Sequence, residues 1–242
     1  MTRGMLTCLS ILCAGVVSAA PVPEGRELAP ATDKQREQAQ QNLKAILLAM
    51  HNSIGEVQPN VPLCFPGDIA DKKGKALLSW RVQLLPYLEQ GDLYKKFALD
   101  EPWDSKTNKP LIAMMPKVFA PVRVKTEEGH TFYRGFTGNG AFFEPRSKIE
   151  IKGVADGFSN TIAIIEAGDA VIWTKPGSDI PFDPKKPLPM LGKDIDGVFH
   201  AARLDGSVFL LKRDFDAEAM KAAITVAGGE VVDFELLSPK KN

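Results

Sequence analysis

An excess of charge of either sign is missing from this 242-residue chain, in which 30 Lys and Arg balance 30 Asp and Glu. Zero formal charge excludes a protein held to nucleic acid or anionic membranes by charge alone. Histidine is scarce: His51, His130 and His200 are the whole set, and no two stand at the spacing of a zinc pair on a helix or hairpin. Cysteine is limited to Cys8, Cys13 and Cys64. After Val17 no stretch approaches the roughly eighteen apolar residues that a membrane span needs. The nearest string to a serine-hydrolase elbow, Gly157-Phe158-Ser159-Asn160-Thr161, fails at its last position and precedes a β-prone run instead of a helix. Phosphate-binding and dinucleotide glycine motifs are absent too. What is present, 44% hydrophobic and 25% charged residues, is the composition of a folded globular protein of one domain.

The first nineteen residues differ in kind from the rest. Arg3 supplies a positive start, Met5 to Val17 is apolar and uncharged, and Val17-Ser18-Ala19 offers the small residues that signal peptidase requires. The expectation is a signal peptide over 1-19, export to the periplasm or the exterior, and a mature start at Ala20. Lipidation of Cys13 fits less well, because Leu12 occupies a position that wants a small residue. Cleavage removes Cys8 and Cys13 and leaves Cys64 alone, expected to be buried and inert. All 18 prolines lie beyond the leader, favouring a loop-rich fold over a helical bundle.

Residues 20-32 are Pro-rich, with few large apolar side chains, and read as a tether before a domain over 33-238. Thr32 or Asp33 can cap a helix in which Leu43, Ile46, Leu47, Met50 and Ile54 form one apolar stripe, ending at Gly55. Residues 55-75 are a proline- and glycine-rich connection. Leu77 to Phe97 reads as helix in pieces, capped by Ser79, interrupted by Pro86 and broken at Gly91. Thr107 or Asn108 opens another short helix. Beyond Pro116 come short β-prone runs: Val118 to Ala120, Thr131 to Tyr133, Ala141 to Phe143, Ile149 to Ile151 and Thr161 to Ile165. Asp205-Gly206 is the best hairpin signal. Pairing Leu204 with Ser207 would put Val198, His200, Ala202, Leu204, Phe209 and Leu211 on one buried face. Asp216 caps a helix to about Val226, and Val231 to Leu237 is β-prone.

Residues able to carry chemistry are few. The acidic groups Asp100, Glu101, Asp104 and Asp194, Asp196, Asp205 make calcium the only cofactor to consider, yet neither group forms a twelve-residue calcium loop, so solvated turn acids are expected. Five prolines between Pro176 and Pro189 make a stiff extended loop with Trp173 before it and Phe182 within it. The possible recognition surface comprises Trp103, Asp104, Trp173 and Lys175, an aromatic and polar set suited to an extracellular polymer or a protein. Burial of Trp173 would remove the main residue from that surface.

Several strings appear together and in order: Asn42-Leu43-Lys44 through His51-Asn52, Ser79-Trp80-Arg81-Val82, Leu84-Leu85-Pro86-Tyr87-Leu88-Glu89-Gln90, Asp100 to Ser105, Asp156-Gly157 with Ser159-Asn160-Thr161-Ile162, Trp173-Thr174-Lys175-Pro176, and Asp205-Gly206-Ser207-Val208. From about residue 40 to 230 the chain resembles the secreted pilin-like family of unknown function numbered 1559. That family is abundant in planctomycetes and usually starts with a prepilin cleavage and methylation segment. The chain departs from it in having a signal peptide in place of that segment, and in leaving four residues between His200 and Asp205 where members often have nine. The resemblance implies an α+β, pseudopilin-like fold, a long N-terminal helix packed on an antiparallel β-sheet, with extra short helices and a proline-rich loop. It implies no established activity. The resulting expectation is a non-catalytic extracytoplasmic module that is structural or binds a protein or extracellular polymer, with no nucleic acid and no membrane insertion after signal cleavage. An extracellular carbohydrate-binding or hydrolytic module is the alternative.

Overall fold

The computed structural model describes residues 31–55, 63–143, 148–189, 191 and 197–240. The leader, the tether as far as residue 30, and Asp194 and Asp196 of the second acidic group lie outside these residues. The architecture is α+β, with few helices around a mostly antiparallel sheet system.

Helix α1, Asp33–Asn52, begins at a reciprocal cap: Thr32 accepts from the Gln35 backbone and the Gln35 side chain accepts from the Thr32 backbone. Its first half is mostly polar. In its second half Leu43, Ile46, Leu47 and Met50 are fully buried, as their spacing predicts. At about 1.5 to 3 kcal/mol each, that stripe is a principal anchor of the helix.

The central sheet is an antiparallel meander in chain order: β1 (His130–Arg134), β2 (Ile162–Ile172), β3 (Val198–Arg203) and β4 (Val208–Lys212). Both faces are covered. The α1 stripe clusters with Tyr133, Ala163, Ile164, Ala202 and Leu204. Helix α2, Ala217–Ile224, belongs to the second cluster, in which its Met220, Ala223 and Ile224 join Ile162, Ile165, Phe199, Ala201 and Leu211. Asp216 caps α2 by accepting from Ala219 N at 2.8 Å, and the helix stops at Ile224, short of Val226.

The hairpin register differs by one residue from the Leu204–Ser207 pairing. Arg203 pairs with Ser207 around a three-residue loop, and Val208 faces Ala202. Gly206 takes φ +84, and the Asp205 carboxylate accepts from Ser207 N and Oγ, so the left-handed residue falls at the loop's end. This shift moves Phe209 and Leu211 to the face opposite His200. His200 therefore does not lie on the single apolar face that the sequence pattern implied.

Other β-prone runs resolve differently. Val118-Phe119 sits in a 3-10 turn, Lys117–Phe119, because Pro116 and Pro121 leave no room for a paired strand. Val231 to Leu237 forms no strand; Asp233 accepts from Glu235 N, curling the segment so that Leu237 is buried while Val231 is 93% exposed. Cys64 is half-buried, short of the full burial expected.

Gly135 joins β1 to the two-residue strand Phe136–Thr137, which pairs in parallel with Ile180–Pro181. A Cβ on Gly135 would stand 2.1 Å from the Phe143 ring and 3.0 Å from Ala163 O. Gly135→Ala is expected to cost about 1 to 3 kcal/mol through this overlap, read as a lowered midpoint in urea with an unchanged slope.

Candidate functional site

Two buried polar knots come first. In register across the sheet, Tyr133 of β1 faces Glu166 of β2, and His200 of β3 lies beside Glu166. Glu166 Oε2 accepts from His200 Nδ1 at 2.8 Å, from His200 backbone N at 2.9 Å and from Arg123 at 2.8 Å. Burial pushes the carboxyl up, but the hydrogen bond from His200 and the Arg123 charge outweigh it and hold Glu166 below the usual carboxylate range. Asn42 of α1 reaches down to donate to the Tyr133 hydroxyl at 3.3 Å, while Gln38 donates to Asn42. Burial, then the Glu166 charge, raises the Tyr133 phenol well above its ordinary value. The row ties α1 and the loop bearing Arg123 to the sheet.

The second knot centres on Arg81, fully buried after the Ser79 cap. Its guanidinium donates to Tyr133 O at 2.6 Å, Ser79 Oγ at 2.8 Å and Asp179 at 3.3 Å. Asp179 also accepts from Gly135 N at 3.0 Å and from the Trp80 indole at 3.0 Å. Asp68 accepts from Trp80 N and Gly177 N, and burial, then the Asp179 charge, pushes its carboxyl up. These contacts tie the start of the proline-rich loop to the body.

The four residues of the sequence-predicted surface are dispersed in role. Trp173 is fully buried, its indole donating to Ile112 O at 2.9 Å, its ring stacked on Phe119 and edge-on to Phe97. It offers no face to a ligand, and of the two roles the sequence left open for it, packing and recognition, it takes packing. Trp103 is half-buried, with the Lys175 ammonium 5.6 Å from its ring centre, and Asp104 is exposed. Among the described residues no three His, Cys, Asp or Glu side chains converge as a metal site requires. His51 donates from Nε2 to Leu204 O at 2.6 Å, and His130 donates from Nδ1 to Glu128 O at 3.2 Å.

Sequence reasoning missed the surface feature that stands out. Leu48 on α1 is 61% exposed, Tyr87 45% and Met114 43%, and all three line one groove of about 600 Å³ between α1, the 3-10 turn Leu85–Leu88 and the segment Met114 to Val118. Its rim carries Glu89 and Lys117, both exposed. Leu48 lies outside the core stripe, and that offset was the available signal. A larger cleft of about 670 Å³ lies on the other side of Tyr87, lined by Cys64, Asp68, Gln83 and Tyr94 among others.

The fold and these sites define an α+β module with two buried polar knots and an apolar groove that faces outward. A family model described as "Protein of unknown function (DUF1559)" matches residues 35–125, supporting that family across α1, the Arg81 segment and the groove. No curated protein and no solved structure matches the chain.

Proposed function

We propose that this protein is a non-catalytic, extracytoplasmic, pilin-like module that binds a protein partner through the Leu48–Tyr87–Met114 groove. The observation that carries this reading is the convergence of three large, exposed apolar side chains on one concavity with a polar rim, the arrangement found at protein interaction sites. Glu166 and Asp179 each accept three hydrogen bonds from neighbouring segments, which fits a part in holding the fold together. Export is supported by Arg3, the Met5 to Val17 run and Val17-Ser18-Ala19. The pilin-like assignment rests on the resemblance and on the family match over residues 35–125. No helix of the described residues is long and apolar enough to cross a membrane. The polymer-binding alternative is weakened by the burial of Trp173 and by the position of Lys175 near the Trp103 ring.

The test is a photo-crosslinking side chain placed at position 48 in the full chain expressed in its own cells. A discrete protein adduct, lost when Met114 is also replaced by Glu, is expected. Absence of any adduct would remove the groove as a binding site. Leu48→Glu should itself leave stability within about 0.5 kcal/mol, since the side chain is largely exposed, and a thermal melt checks this.

A further inference from the structure

Deepening that reading, and resting on it, we infer that the partner is a second copy of this chain, joined groove to groove about a two-fold axis. Leu48 of α1, 61% exposed, forms part of the wall of the concavity of about 600 Å³ and leaves apolar surface open to a partner. An isologous contact requires one patch to complement itself. The rim charges supply the second part of the argument. Glu89 and Lys117 both line the groove and both are exposed, and neither forms an ion pair with another described residue. A partner surface of uniform charge would satisfy one of them and repel the other. A second copy related by a two-fold axis that passes between Glu89 and Lys117 would bring Glu89 of each chain opposite Lys117 of the other and satisfy both. The apolar contribution comes from Leu48, Tyr87 and Met114, with Met114 able to adapt its shape to the partner. A patch of three large side chains is small beside a standard interface, so the dimer is weak and depends on concentration.

Sedimentation of the purified mature chain from about 5 μM to about 1 mM reads this directly, with a dissociation constant expected in the range of roughly 10 to 100 μM. Leu48→Glu should weaken the dimer at least about tenfold. Glu89→Lys and Lys117→Glu should each weaken it by placing like charges across the axis. An equimolar mixture of the Glu89→Lys and Lys117→Glu chains should associate again, because each then meets the opposite sign at both contacts. Circular dichroism of each variant verifies that it is folded. A chain that stays monomeric to about 1 mM, a dimer indifferent to Leu48→Glu, or a mixture that fails to associate overturns the inference. If the chain is monomeric and the crosslinker at position 48 still captures a different exported protein, the proposed function stands and this inference falls. If neither occurs, both fall.

Discussion

Replacing Trp173 with Ala should destabilise the protein by about 3 to 5 kcal/mol, the usual cost of truncating a large buried aromatic. The indole is fully buried, stacked on Phe119 with ring centres 6.0 Å apart and met edge-on by Phe97 at 5.9 Å. Truncation opens a cavity where these contacts were and leaves Ile112 O without its donor at 2.9 Å. The melting temperature should fall by roughly 10 °C. Trp173→Phe refills part of the volume without restoring the donor, so it should recover much of the loss but not all. The neighbouring backbone amplifies the effect, because Trp173 N donates to Gly129 O and Ser79 N donates to Thr174 O, so loosening the indole loosens the Arg81 knot. A melting curve for Trp173→Ala within about 1 °C of the parent would contradict this placement.

The core of α1 was legible because the helical period is a local property. Leu43, Ile46, Leu47 and Met50 repeat at three and four residues, and their burial follows from that spacing. The Ser79 and Asp216 caps were readable for the same reason. The hairpin was recognisable at Asp205-Gly206, yet its register was not. A two-residue and a three-residue loop both end on a left-handed glycine, and the choice between them rests on Asp205 accepting from Ser207 and on the two-sided burial of β3. Expecting one apolar face assumed that the sheet was covered on one side; helix α2 covers the other.

The site was harder still. The sequence left Trp173 open between packing and recognition, because the shell that buries it comes from the distant residues 97, 112 and 119. The Glu166 row and the groove share this property. Glu166, Arg123 and His200 are drawn from three distant segments, as are Leu48, Tyr87 and Met114. Only the strand register and the packing of α1 bring them together, and neither is a local property of the sequence.

The Glu166 row provides the second large effect. Glu166→Gln should cost about 3 to 5 kcal/mol at neutral pH, because it removes the charged acceptor from a buried ion pair with Arg123 and from the hydrogen bond with His200. The accompanying pH dependence has a definite sign. Although burial alone would raise it, the carboxyl is held below its ordinary value in the folded state by His200 and Arg123. Its stabilisation is therefore fully present above the unfolded carboxyl value, and is lost as pH falls through the folded one. The penalty of Glu166→Gln, measured as the difference in unfolding free energy from the parent, should accordingly be largest near neutrality and shrink in acid. Adding Arg123→Met to Glu166→Gln should cost less than the sum of the two single changes, a coupling that a double-mutant cycle reads directly. A penalty that stays constant from neutral pH into the acid range, or two single changes that simply add in the double variant, would show that Glu166 acts through packing alone.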